Sequence, residues 1–223
     1  MPSVFLLRRC APSLQKARDV VVELPGWQIN GAAQSVSEAC GLIQRLQPDI
    51  VACDLNLPDG RFEKLAHASR RWPERPRILL LTDAADDLSL FDALRWGADA
   101  YCIETGSGSG LVAGLRRLTA GRATMSPRIA QSALALFGLG RSRLVDAQLP
   151  SSSRDISDAA GGMAPGLLSA EQHLLSLLAH GLLTSEICGH WDLDEAEIER
   201  RLAAIYKRMH ALLSNPEPER LSA

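Results

Sequence analysis

The sequence predicts an α/β fold: a five-stranded doubly wound parallel-sheet domain, followed by a small all-α domain. Three observations carry this. Short apolar runs, among them Val4-Phe5-Leu6-Leu7, Ile50-Val51-Ala52-Cys53 and Arg77–Thr82, alternate with amphipathic helical stretches up to residue 121. Runs this short, bounded by turn residues and separated by a helix, read as strands buried on both faces of a parallel sheet, joined by right-handed crossovers. Over 138–166 the composition shifts to Ser151-Ser152-Ser153, Gly161-Gly162 and prolines, and from Leu168 the periodicity is purely helical. The expected division is 1–121 for the sheet domain, 122–166 for a helix and a flexible linker, and 167–223 for the helical domain.

Val4-Phe5-Leu6-Leu7 is the first strand. Residues 12–24 form the first helix, with Ser13 as its cap and Leu14, Ala17, Val20, Val21 and Leu24 on one face. Pro25-Gly26 breaks it, and residues 27–33 form a more polar second strand. Ser37 starts the second helix, with Ala39, Leu42, Ile43 and Leu46 inward and Pro48 just beyond. The third strand ends at Asp54, and a turn follows at Leu57-Pro58-Asp59-Gly60. A third helix spans 62–72 and stops before Pro73; the fourth strand is Arg77–Thr82. Asp86 or Asp87 caps a fourth helix that ends at Trp96, where Gly97 stops it. Ala100–Ile103 is the fifth strand, and a glycine–serine loop at 106–110 leads into a helix over 111–120. Residues 127–137 form one more amphipathic helix. In the last domain Ser169 and Thr184 cap two helices, and Asp194 with Glu197 has the spacing of a capping box for a third that runs to about Met209. Two helices joined by a short turn at Asp192-Leu193 make a helix-turn-helix candidate.

Composition narrows the function. Lys and Arg number 24 against 26 Asp and Glu, a net of −2, so no global basic field marks a nucleic-acid binder. No apolar run approaches the roughly 18–20 residues of a membrane span, so no membrane association is expected. Residues 1–7 lack a cationic start followed by a long apolar core, so no secretory signal is expected. Cys10, Cys40, Cys53, Cys102 and Cys188 are odd in number and widely spaced, which suits reduced thiols in a cytoplasm. His67, His173, His180, His190 and His210 form no metal motif, and no Ser/His/Asp set or GxxxxGK[ST] loop is present. An enzyme, a cofactor and a metal are therefore not expected. Asp54 stands apart: in open parallel sheets the working site lies beyond the carboxyl ends of the strands, where this carboxylate ends an apolar run.

The two halves together resemble response regulators of the NarL/FixJ class, which join a receiver domain to a LuxR-type helix-turn-helix domain. In the first half the likeness rests on Asp54 in the run DLNLPDG, Thr82, Gly97-Ala98-Asp99-Ala100-Tyr101, and Gly121 with Ser126-Pro127. In the second it rests on Leu168-Ser169, Ala179-His180-Gly181-Leu182, Glu186-Ile187, and Ile198 with Leu202, Ile205 and Tyr206. The resemblance implies a cytoplasmic regulator acting in transcriptional control. It implies that Asp54 is the phosphoacceptor position, that Thr82 bonds the phosphoryl group, and that Tyr101 is the switch aromatic.

The chain also departs from that family. Where an acidic pair should hold Mg²⁺ it has Arg8 and Arg9, and where a lysine should meet the phosphoryl oxygens it has Glu104. Guanidinium groups repel a dication that wants anionic oxygens, and Glu104 opposes a transferring phosphoryl group with like charge. This sign inversion implies no ordinary Mg-dependent aspartyl phosphorylation. It is self-consistent if one arginine pairs with Asp54, lowering its pKa, and the other pairs with Glu104. The alternative is drift, with the arginines reaching into water. Asp83, Asp86 and Asp87 are a weaker substitute set of metal ligands.

For DNA the resemblance places Thr184, Ala196, Glu197, Glu199, Arg200, Arg201, Lys207 and Arg208 at the interface. Between residues 167 and 213 seven acids face four bases, a net of −3 with histidines neutral, and the start of the last helix is acidic. Affinity for DNA rests largely on neutralised phosphates, so weak binding is expected. Pro216 and Pro218 interrupt the region where a fourth, dimerising helix would follow. The partners implied are DNA, a second copy through the receiver and, on the alternative reading of a pseudo-response regulator that has lost DNA binding, another protein.

Overall fold

The computed structural model describes residues 1–82, 87–104, 108–139 and 167–214. The chain divides into two compact units, Met1–Thr124 and Met125–Ala223.

The first unit is a parallel sheet of β1 (Ser3–Leu7), β2 (Gln28–Ala33), β3 (Ile50–Asp54), β6 (Arg77–Thr82) and β7 (Ala100–Ile103), in the order β2-β1-β3-β6-β7. An additional two-stranded antiparallel hairpin, β4 (Asn56–Leu57) and β5 (Gly60–Arg61), closes the turn after β3. The helices of this unit are α1 (Ala11–Val22), α2 (Val36–Leu46), α3 (Glu63–Ser69), α4 (Asp87–Trp96) and α5 (Ser109–Thr119). Ile50, Val51, Ala52 and Cys53 are fully buried, as are Val4 to Leu7 on the neighbouring strand. Water therefore reaches the two central strands only at their ends.

Three helix starts differ from the sequence expectation. Cys10, in extended conformation, is the N-cap of α1, and the Ser13 hydroxyl donates to the Cys10 carbonyl at 2.9 Å instead of capping. Ser35 caps α2 by accepting from the Glu38 N–H at 3.2 Å. The Asp59 carboxylate accepts from the N–H groups of Val36 and Ser37, at 2.9 Å each, so the turn after β3 is tied to the start of α2. Those bonds, the one from Val36 first, hold the Asp59 carboxyl down at about 2. The third helix is shorter than expected and ends at Ser69. The expected cap at Asp86 or Asp87, the replacement ligand set that includes Asp83, and most of the glycine–serine loop lie outside the described residues or side chains.

The second unit contains α6 (Pro127–Leu136), α7 (Ser169–Ala179), α8 (Thr184–Trp191) and α9 (Glu195–Ser214). The helix that the sequence places in the linker packs against α7: Ile129, Ala130, Ala133 and Leu134 are buried, and Gln131 Nε2 donates to the Ala179 carbonyl at 2.9 Å. Helices α7 and α8 begin one residue before the expected caps, at Leu168 and Leu183. The carboxylates of Glu171 and Glu186 reach back to the N–H groups of those residues at 2.9 and 2.7 Å. Helix α9 runs beyond Met209 to Ser214. The expected flexible linker lies almost wholly outside the described residues, as do Pro216 and Pro218.

Candidate functional site

Strand order reverses between β1 and β3, the topological switch point where open α/β sheets place their ligands. Asp54 is the last residue of β3, Arg8 and Arg9 follow β1, Thr82 ends β6 and Glu104 follows β7. The Glu104 N–H donates to the Thr82 carbonyl at 2.8 Å, which fixes the Glu104 backbone beside β6.

Arg8 is 4% exposed and Asp54 7%. Arg8 Nε lies 3.1 Å from Asp54 Oδ1, an ion pair outside hydrogen-bond alignment. The two terminal nitrogens of the same guanidinium donate to Glu104, Nη1 to Oε1 at 3.2 Å and Nη2 to Oε2 at 2.6 Å. The Arg9 backbone N–H donates to Asp54 Oδ2 at 2.7 Å. This corrects the expectation of one arginine for each carboxylate. A guanidinium is a planar fork that can meet one carboxylate with its terminal pair and another at Nε, so Arg8 serves both. Arg9 holds Asp54 through its main chain, while its side chain is exposed.

The expectation that the pair lowers the Asp54 pKa is also corrected. Burial pushes the Asp54 carboxyl above its ordinary value, and the charge of Arg8 and the Arg9 N–H offset this only in part. For Arg8, burial alone would lower the pKa; the bond to Glu104 and the charges of both carboxylates reverse that and hold it above the ordinary value.

Arg8, Asp54, Thr82 and Glu104 line a cleft of about 40 Å³. That is room for a water molecule and little more. Tyr101 is half-buried on β7 and is not among the residues lining this cleft. The residues present do not fit Mg²⁺. The ion demands several anionic or neutral oxygens in octahedral array at about 2.0–2.1 Å. Here a guanidinium already contacts one Asp54 oxygen and the Arg9 N–H takes the other. Among the described residues, no group of three or more His, Cys, Asp or Glu side chains is placed to hold a metal ion.

In the second unit α8 and α9 meet at Asp192, which adopts a left-handed conformation with φ of 51°. Asp194 Oδ1 accepts from the Glu197 N–H at 2.6 Å, which is half of the expected capping box. The other half is missing because the Glu197 carboxylate turns to Arg200 and Arg201, at 2.8 and 3.1 Å. Its pKa is lowered, chiefly by the Arg200 bond. Ile198, Leu202, Ile205 and Met209 are buried as expected. Glu199 corrects the expectation of an outward position: it is 3% exposed. It lies seven residues before Tyr206, hence on the same helix face, and Tyr206 is fully buried. Arg208 pairs at 2.9 Å with Glu171 of α7, whose side chain is 6% exposed. Lys207 and Arg200 are exposed, Arg201, Ala196 and Thr184 half-exposed.

Sequence reasoning missed Glu171, whose signal was its capping spacing from Leu168. It also missed a cavity beside Arg8 formed by Cys10, Ser13, Lys16 and Val20, for which periodicity gives no signal.

No family model matches the chain. A two-component response regulator of the LuxR family from Aurantimonas sp. SI85-9A1 is 31% identical, with a TM-score of 0.52, over 58% of this chain and 92% of that one. The DNA-binding transcriptional activator DevR/DosR of Mycobacterium tuberculosis is 27% identical over 188 residues, 83% of this chain and 77% of that protein. The nitrate/nitrite response regulator NarL of Escherichia coli K12 is 22% identical over 209 residues, 93% and 89% of the two chains. Salmonella typhimurium RcsB, 16% identical with a TM-score of 0.52 over 96% of this chain and 99% of that one, shares the fold. A five-stranded parallel sheet in this order, with a carboxylate ending its central strand, defines a receiver domain. The chain belongs to the response regulators of the LuxR family.

Proposed function

We propose that the chain is a transcriptional regulator whose receiver works without Mg-dependent phosphorylation of Asp54 and whose α8–α9 pair contacts DNA. The observation that carries this is Arg8, buried and tied at once to Asp54 and Glu104. Its guanidinium supplies a fixed positive charge beside Asp54, where phosphoryl transfer would require exchangeable metal. Asp54 is then a structural anion, Glu104 its counterweight across Arg8, and Thr82 a wall of the closed cleft. Incubation with acetyl phosphate and Mg²⁺ followed by intact-mass measurement is expected to show no phosphorylated species. A stoichiometric mass gain that vanishes in Asp54→Asn would overturn this.

Support for DNA contact comes from α9. Glu199 is buried and Glu197 is engaged by two arginines, so the outer face presents Ala196, Arg200 and Lys207. The acids that favoured a DNA-free protein-docking module are thereby largely removed from that face. The named relative DevR/DosR is a DNA-binding activator, and the same class of action is assigned here. Binding is carried by few phosphate contacts, because Arg200, Arg201 and Arg208 are already paired. Its salt slope is accordingly shallow.

A further inference from the structure

Beside the closed cleft lies a larger, open space. A cavity of about 340 Å³ is formed where α1 begins, and Arg8, Arg9, Lys16 and Glu104 contribute its charges. Its other wall is apolar, from Pro12, Ala17 and Val20. The volume sits at the low end of the roughly 300–1,000 Å³ typical of small-molecule sites, and the lining has their character, an apolar body with a few polar groups. Three cationic side chains face one carboxylate. Arg8 is committed to Asp54 and Glu104, so Arg9 and Lys16, both exposed at the rim, set the sign offered to an entering molecule.

We propose that this cavity binds a small organic anion, a carboxylate or phosphate ester on a short apolar body, through Arg9 and Lys16. The apolar part lies against Ala17 and Val20. The anionic group sits near the guanidinium of Arg8, where it competes with Glu104 and so acts on the Arg8–Asp54 contact. That it serves as the receiver's input, in place of phosphate on Asp54, rests on the function proposed above; the binding itself rests on the cavity.

Cys10 provides a built-in reporter, since it lines the cavity and is exposed. Its Sγ lies 3.3 Å from the Ser13 hydroxyl, and the hydrogen bonds to Ser13 lower its thiol pKa, which favours alkylation.

The test uses the full chain and three probes that share one ring: benzoate, phenyl phosphate and the neutral benzyl alcohol. Amide chemical shifts and the rate of Cys10 alkylation by iodoacetamide are followed at about 10 mM probe, which reveals dissociation constants into the millimolar range. Benzoate, phenyl phosphate or both are expected to move the amides of Arg9, Ser13, Lys16 and Val20 and to slow alkylation by about threefold or more, as occupancy of the site requires. Which anion acts separates the carboxylate from the phosphate ester. Benzyl alcohol is expected to do neither. The surface double substitution Arg9→Gln/Lys16→Gln, with unchanged circular dichroism, is expected to abolish both effects, and Val20→Phe to block entry. The proposal is overturned if neither anion moves these amides, if benzyl alcohol acts as strongly, or if the double substitution changes nothing. Intact mass of the same samples after acetyl phosphate treatment reads the phosphorylation question separately. Phosphorylated Asp54 with retained binding refutes only the earlier reading; unmodified Asp54 without binding refutes only this one.

Discussion

Replacing Arg8 by Met keeps the aliphatic stem that packs beneath the site and removes only the charge. Asp54 and Glu104 are then left facing each other, with the Asp54 side chain 10% exposed and that of Glu104 23%. Removing one partner of a buried pair costs roughly 3–5 kcal/mol. Glu104 retains some access to water, so the lower end applies, about 3 kcal/mol. Asp54→Asn is expected to cost at most about 1 kcal/mol, because burial already disfavours the ionised form and Arg8 keeps its bidentate bond to Glu104. The triple substitution Arg8→Met, Asp54→Asn, Glu104→Gln removes every charge and is expected to return within about 1 kcal/mol of the wild type. Arg9→Ala preserves the backbone N–H, so its coupling to Asp54→Asn is expected below about 0.5 kcal/mol.

The pH dependence gives a second handle on the same perturbation. Asp54 has a raised pKa in the folded chain. The stability contributed by its neutral form is therefore fully present below the unfolded value and lost as pH rises through the folded one. Without Arg8 the burden grows, so the deficit of Arg8→Met is largest near neutral pH and narrows as both carboxylates take up protons. Urea unfolding of the full chain, followed by the amide signals of β3, measures this at about pH 7 and about pH 4.5, on either side of the shifted carboxylate range. A deficit under about 0.5 kcal/mol, or one that does not narrow in acid, would refute the central role given to Arg8.

Two further outcomes follow from the second unit. Glu197→Gln releases Arg200 and Arg201 and is expected to steepen the salt dependence of duplex binding by about one to two phosphate contacts in fluorescence anisotropy; an unchanged slope would show that those arginines do not reach DNA. Leu134→Ala in α6 is expected to destabilise the second unit by about 2–4 kcal/mol, as for other buried leucines. Hydrogen exchange of α7 unchanged by that substitution would show that α6 is no part of its packing.

The sheet was legible because its strands are short apolar runs with nothing polar between turn residues; Arg77–Thr82 and Ala100–Ile103 fall where the pattern puts them. Helix starts were less legible. A hydroxyl near a helix start is a cap only when the preceding backbone is extended, which spacing does not reveal; Ser13 lies inside α1 and Ser35 before α2. That charges would be paired at the site was visible in the joint presence of Arg8 and Glu104. Which arginine would do it was not, because two consecutive residues at a strand end point to opposite sides and only the register decides. The sign of the Asp54 shift was missed for a related reason: sequence shows the neighbouring charge but not the depth of burial, and here burial is the larger effect. In α9, counting acids along the chain overstated their presence at the surface, since Tyr206 widens the packed face and takes Glu199 with it.

The three substitutions are coherent only together. Arg8 alone, with a lysine kept opposite, would place two cations against one carboxylate in a cleft of about 40 Å³. Glu104 alone, with acids kept on the first strand, would gather carboxylates around Asp54 with no cation among them. With both changed, one guanidinium stands between two carboxylates, and the excess is a single negative charge shared by Asp54 and Glu104. Asp54 is the deeper of the two, and its raised pKa shows that Arg8 does not fully offset its burial. The compensating positive charge lies one step outward, on Arg9 and Lys16 at the rim of the cavity. The charge pattern of the receiver thus runs from negative at the closed cleft to positive at the open one. An anion can be drawn only to the second, and there it meets the far side of the same guanidinium that holds Asp54.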